Sequence, residues 1–300
     1  GLQTGFKYFD YLTNGLDRST LTIIGAETGG GKSIILNNMG VQMWMGNNKI
    51  DNDLVNFSPG LNVLYFSLEM PIELCVNRAL AKMADVPFYG IRDASLSKGE
   101  LKSLKKCWDF IEAYPNTFEV VDCPRGLSVD GIEERFKEAC ETYLPDVVIV
   151  DYLGLLEEPH FGGEDWLKLG YIAGKLHEFT RMYNVVCITA AQLNRPAKNA
   201  NNELIGLHRF GRSSLMLHHA SIGMMVESRP DEHTYGDMKL HIVKNRSGSL
   251  GSFELNKNLS HCKISDPDVV VLPDVMSKTY MPHEAADISA LIDTFNWNDN

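Results

Sequence analysis

The sequence has no stretch of the roughly 20 apolar residues that a membrane-spanning helix requires. Its longest apolar run, residues 147–156, is interrupted by Asp151. The opening residues carry no basic-then-apolar leader, so no membrane association and a cytoplasmic location are expected. The six cysteines (Cys75, Cys107, Cys123, Cys140, Cys187 and Cys262) include no Cys-x-x-Cys pair and no Cys/His group at zinc-ligand spacing. That sets aside a zinc module or a disulfide framework in favour of reduced, buried thiols. Basic charge is also scarce: 28 Lys and Arg against 39 Asp and Glu leave a formal net charge of −11. Such a balance excludes a surface coated in cations for gripping nucleic acid, though not a local basic channel. There is no internal repeat, which sets aside repeat architectures.

What remains is 300 residues, 44% hydrophobic, enough for one large domain or two small ones. Short β-branched and apolar runs at 20–24, 62–66, 118–121, 146–150, 185–189, 222–226 and 239–243 read as buried strands. Helical patterns separate most of the early runs; Leu169, Ile172, Leu176, Phe179 and Tyr183, for example, fall on one face at spacings of three and four. Strands alternating with helices predict an α/β fold with a mainly parallel central sheet and helices on both faces. The last strands lack long helices between them, so antiparallel hairpins are expected at the C-terminal edge. Residues 47–60, 157–165 and 194–211 read as loops, long enough to be functional. The chain starts at Gly1 rather than Met, directly before the first element of the core, and is expected to be trimmed from something longer. The expected division is a core at 1–264 and an acidic tail at 265–300. That tail sets seven acids against the single Lys278, a net of −6, and carries an apolar stripe of Ile288, Leu291, Ile292 and Phe295. The stripe suits docking on a neighbour; a tail trailing in solvent is the alternative.

Residues 21–33, Leu-Thr-Ile-Ile-Gly-Ala-Glu-Thr-Gly-Gly-Gly-Lys-Ser, combine a strand, a glycine-rich turn and a helix start. Gly29, Gly30 and Gly31 let successive backbone N–H groups turn inward on phosphate oxygens, and the helix N-terminus adds its positive end. Lys32 then reaches the β- and γ-phosphates and Ser33 ligates magnesium. The nucleotide site is expected to comprise Ala26, Glu27, Thr28, Gly29, Gly30, Gly31, Lys32 and Ser33, with ATP and Mg2+ as ligands. Ala26 stands where the strict pattern has glycine. The run 146–151 ends in Asp151, a candidate magnesium carboxylate that could equally be a turn residue. Residues 62–70 form a strand expected beside the P-loop strand; its Glu69 is the candidate for activating water, or simply an acid favoured at the start of the helix that Pro71 opens. A further strand ends in Gln192, suited to sensing a γ-phosphate or merely a polar strand end.

Together these segments resemble the DnaB family of replicative helicases, in order along almost the whole chain. Thr4-Gly-Phe with Leu12-Thr-Asn-Gly-Leu16 looks like the family's entry segment, Ser67-Leu-Glu-Met-Pro71 its glutamate motif and Asp151-Tyr-Leu-Gly-Leu155 its Walker B. Gln192-Leu-Asn-Arg195 is similar to its sensor and DNA loop, and Lys244-Asn-Arg-Ser-Gly248 to its closing Lys-x-Arg-x-Gly element. The resemblance implies a RecA-like P-loop fold with Lys32, Glu69 and Gln192 as catalytic groups. It makes Arg246 an arginine finger, with Lys244 its companion, entering the next subunit of a homo-oligomer, a hexameric ring. It also implies a bacterial or phage-infected cytoplasm, single-stranded DNA as track, and a primase or helicase loader as partner. Its two DNA-facing loops fall at 157–165 and 194–211. The second, with flanking Arg212, sets Arg195, Lys198, Arg209 and Arg212 against Glu203, a net of +3 on an acidic protein. One departure is the apolar, histidine-rich stretch 209–219, where His218 and His219 are adjacent rather than helix-spaced for a metal. A RecA- or RadA-like recombinase filament and a non-helicase ring ATPase are the alternatives.

Overall fold

The structure, a computed structural model, describes residues 1–50, 60–123, 126–193, 214–227 and 235–268. Arg195, Lys198, Arg209, Arg212 and the stripe of the acidic tail lie outside the described residues. The elements run α1 (Lys7–Thr13), β1 (Thr20–Ala26), α2 (Lys32–Met45), β2 (Val63–Ser67), α3 (Ile72–Ala84), α4 (Phe88–Arg92) and α5 (Lys98–Ala113). They continue with β3 (Phe118–Asp122), α6 (Val129–Cys140), β4 (Val147–Asp151), α7 (Asp165–Tyr183), β5 (Val186–Gln192) and α8 (Ser214–His219). Strands β6 (Ile222–Glu227), β7 (Tyr235–Asn245), β8 (Gly251–Asn258) and β9 (Lys263–Ser265) follow.

All nine strands join one sheet in the order β3-β2-β4-β5-β1-β6-β7-β8-β9. The pairs from β3 through β6 are parallel, and β6/β7, β7/β8 and β8/β9 are antiparallel. Side-chain alternation divides the core between the two faces. Ile24, Tyr65, Ile149 and Ile188 pack with Ile35, Leu36 and Met39 of α2 and Phe110 of α5. Their sequence neighbours Ile23, Leu64, Phe66, Val150 and Cys187 pack with Ile132 of α6, Leu176 and Phe179 of α7, and Met216 of α8. Residues buried on both faces of a parallel sheet give the continuous apolar runs seen in the sequence.

Each of the seven expected strands is present, within a few residues at its ends. Two strands, β8 and β9, were not anticipated. In β8, buried Phe253, Leu255 and Lys257 alternate with more exposed residues, a half-buried pattern with too few apolar residues to register as a run. The expectation that β2 lies directly beside β1 is corrected: β4 and β5 stand between them.

Asn38, fully buried on α2, stitches the P-loop helix to the far end of the chain. Its Nδ2 donates to the Cys262 carbonyl at 2.8 Å, and its Oδ1 accepts from the Ile264 N–H at 2.9 Å. Asn38→Ala leaves the Cys262 carbonyl and the Ile264 N–H of β9 unpaired, and urea denaturation is expected to read a loss of roughly 1–3 kcal/mol.

Candidate active site

The loop after β1 is built by glycines that cannot be replaced at no cost. Gly29 and Gly31 adopt φ of 77° and 85°, a region that side chains disfavour. A Cβ on Gly30 would stand 2.9 Å from the Glu27 carbonyl oxygen and 3.2 Å from the Ala26 side chain. The Gly30 N–H donates back to the Glu27 carbonyl at 2.9 Å, closing the turn, and Gly31 starts α2. Ala26 is fully buried at the end of β1 and its side chain is accommodated. The first-turn N–H groups of α2 therefore face an open cleft.

Four strand tips contribute to that cleft, of about 250 Å³, lined by Thr28, Gly29, Gly31, Lys32, Ser33, Glu69, Arg78, Tyr152 and Gln192 among others. Gln192, the Cα partner of Ala26, comes from β5. Asp151 ends β4 and is fully buried; its Oδ1 accepts from Ser33 Oγ at 3.1 Å and its Oδ2 from Tyr65 Oη at 2.7 Å. Glu69 follows β2 in a bend held by Ser67, whose hydroxyl donates to the Met70 carbonyl at 2.5 Å, and its side chain is exposed. The segment 68–70 continues beyond the strand and delivers Glu69 to the cleft although two strands, β4 and β5, separate β2 from β1.

The electrostatics follow from burial. Desolvation pushes the Asp151 carboxyl above its usual range; the Tyr65 and Ser33 hydrogen bonds push it back, nearby Glu69 adds to the rise, and Arg78 opposes it. Desolvation likewise lowers Lys32 from its ordinary value, against the attraction of Glu69 and Asp151. Lys32 Nζ donates to the Glu27 carbonyl at 3.2 Å and lies 5.6 Å from the centre of the Tyr152 ring. An oxygen-rich pair, Ser33 and Asp151, beside a cationic, N–H-lined loop fits a magnesium-bound triphosphate.

Lys244 and Arg246 are not among the residues lining this cleft. Both donate to carbonyls at the C-terminus of α8: Lys244 Nζ to Leu217 and, at 3.1 Å, to His218, and Arg246 Nη2 to His218 at 2.8 Å. Helix carbonyl ends favour cations. Arg78 and Tyr152, which line the cleft, were missed by sequence reading. Arg78 lies seven residues past Pro71, two helical turns into α3, a spacing that could have flagged it.

A glycine-rich loop after β1, an acid at the tip of β4 and this sheet order define a P-loop nucleotide-binding core on a RecA-like sheet. The chain belongs to the DnaB-like helicase C-terminal domain family, whose model matches residues 1–266. It is 25% identical over 275 residues to a probable replicative DNA helicase of Trieres chinensis, covering 89% of this chain and 57% of that protein. With the replicative DNA helicase DnaB of Helicobacter pylori it shares 26% identity over 208 residues, 68% of this chain and 39% of the relative. The chain thus spans about half the length, or less, of these curated relatives. Among solved structures, the ATPase domain of G40P superposes with a TM-score of 0.76 at 19% identity, covering 89% of this chain and 92% of that one. A DnaB-like replicative helicase, described with its interactions with primase, superposes at 0.74 and 19% identity, covering 88% and 61%.

Gly30→Ala forces the loop off the Glu27 carbonyl. Titration with a fluorescent nucleotide is expected to show affinity reduced by roughly tenfold, the equivalent of about 1.4 kcal/mol.

Proposed function

We propose that this chain is the ATP-hydrolysing motor of a ring-shaped replicative DNA helicase, translocating on single-stranded DNA and unwinding duplex. The observation that carries the reading is the convergence of Lys32, Ser33, Glu69, Arg78 and Gln192 on one cleft beside Asp151, while the cations of the closing element point elsewhere. In this reading the N–H groups of 29–33 and Lys32 hold the β- and γ-phosphates. Ser33 and Asp151 would hold magnesium, which would supply positive charge against the β- and γ-phosphate oxygens. Exposed Glu69 orients and deprotonates the attacking water. Gln192, in register with the end of the P-loop strand, responds to the γ-phosphate at the head of segment 194–211.

The same reading assigns Lys244 and Arg246 to the site of the next subunit, where a guanidinium pairs with the charge that develops on the transferring phosphoryl group. Their distance from their own cleft's lining supports a composite site, and a composite site requires a homo-oligomer, a hexameric ring. Arg195, Lys198, Arg209 and Arg212 track the DNA phosphates in that ring. A primase or helicase loader is the proposed protein partner and the cytoplasm the proposed compartment; among the described residues no helix is long and apolar enough to cross a membrane. The proposed division into a core at 1–264 and an acidic tail at 265–300 falls inside the last described strand, which runs to Ser265.

Lys32→Ala is expected to abolish ATP turnover, and Arg246→Ala to abolish it with nucleotide binding largely retained. The deciding experiment mixes Arg246→Ala with Glu69→Ala protein. Each is inactive alone, and mixed rings regain DNA-stimulated hydrolysis where an intact finger meets an intact glutamate. Mixed rings shown to form yet remaining inactive would sink the trans assignment. Wild-type activity should rise steeply with protein concentration, and filaments rather than rings in electron micrographs would favour the recombinase reading.

A further inference from the structure

Strand β2 reads Val63-Leu-Tyr-Phe-Ser67, and all five of its residues are buried. Tyr65 thus places a hydroxyl in an apolar layer, its ring packed 6.4 Å from that of Phe118 and in one cluster with Ile149 and Phe110. The side chain is fully shielded from solvent. A buried hydroxyl without a partner is costly, and this one has a specific partner: the phenol donates to Asp151 Oδ2 at 2.7 Å. The sheet register explains the reach. Tyr65 is opposite Ile149 and Ser67 is opposite Asp151, so the ring extends about two residues along β4 to meet the carboxylate at its tip.

The two oxygens of Asp151 are thereby given separate tasks. Oδ2 is tied to a rigid aromatic ring set in the core, and Oδ1 faces Ser33 Oγ at 3.1 Å on the P-loop helix. A carboxylate at a strand end has a free χ2 torsion; a short hydrogen bond from a side chain with no room to move removes that freedom.

We propose that Tyr65 is a positioning residue for the divalent cation, its hydroxyl fixing the Asp151 carboxylate so that Oδ1 is the oxygen presented beside Ser33. This rests on the assignment of Ser33 and Asp151 to magnesium. The metal makes no contact with Tyr65; the tyrosine acts through the carboxylate. A phenylalanine at this position would fill the same core space, so the hydroxyl serves the site and not the packing.

Tyr65→Phe removes only the hydroxyl. In the full chain, binding of a fluorescent ADP analogue is titrated first in EDTA and then across a Mg2+ series. The EDTA affinity is expected to match wild type, while the melting temperature of the nucleotide-free protein falls modestly because Asp151 Oδ2 loses a buried partner. The Mg2+ concentration giving half of the metal-dependent gain in affinity is expected to rise by up to about tenfold, the scale of one hydrogen bond to a charged group. The rate at saturating Mg2+ should fall less than that midpoint shifts. An unchanged midpoint overturns the proposal, as does an equal weakening with and without metal, which would assign the hydroxyl to folding alone. Asp151→Asn serves as the reference. It is expected to remove the metal-dependent gain altogether, and a variant that retained it would overturn the magnesium assignment itself, independently of what Tyr65→Phe does.

Discussion

The burial of one carboxylate constrains the whole site. Asp151 is fully enclosed at the end of a strand whose other members are valine and isoleucine. An isolated charge there would be strongly disfavoured. It is tolerated because three parts of the chain converge on it: Tyr65 from the neighbouring strand, Ser33 from the P-loop helix, and Arg78 of α3 through its field. Each contribution requires the sheet order to be right. β2 must lie beside β4 for the phenol to reach, and β1 must feed α2 so that the serine comes over the strand tips. The carboxylate is therefore a check on the topology around it.

Sheet order also separates the two ends of the chemistry. Parallel strands β4, β5 and β1 bring Asp151, Gln192 and the P-loop to one edge, as open α/β sheets do with ligand sites. The antiparallel additions reverse direction. β7 runs against β6 and finishes at Asn245, so Lys244 and Arg246 emerge near Ser221 at the start of β6, where the Arg246 N–H donates to the Ser221 carbonyl at 3.0 Å. Strand β6 is parallel to β1, which places its start at the opposite edge from the P-loop. The cations of the closing element and the glycine-rich loop therefore lie at opposite edges of the sheet.

Much of this was legible in the sequence because it is encoded locally. The glycine spacing dictates the P-loop, since only that backbone puts successive N–H groups in one concavity. The run ending at Asp151 announced a buried strand with an acid at its tip. Glu69 was legible as the acid before Pro71, but not the two strands separating β2 from β1, because register between distant segments leaves no local mark. Arg78 escaped because an arginine on an amphipathic helix looks like any solvated cation until the helix is docked. The partner of the Tyr65 hydroxyl lies 86 residues away, so the sequence offers only an aromatic in an apolar strand. Asn38 is similar: an amide inside the P-loop helix gave no sign that it would satisfy the Cys262 carbonyl and the Ile264 N–H.

The contacts of the closing element distinguish two residues that a motif treats as a pair. Lys244 is partly buried and donates to two carbonyls of α8, and burial followed by the adjacent Arg246 charge pulls its pKa below the ordinary lysine range. Arg246 is exposed and its side chain is recorded on a single carbonyl. Withdrawing Lys244 would strip the C-terminus of α8 of a shielded cation, whereas the guanidinium of Arg246 exchanges one solvent-accessible hydrogen bond for another at little cost. Lys244 thus ties β7 to α8 more firmly, and Arg246 is the more exposed of the two.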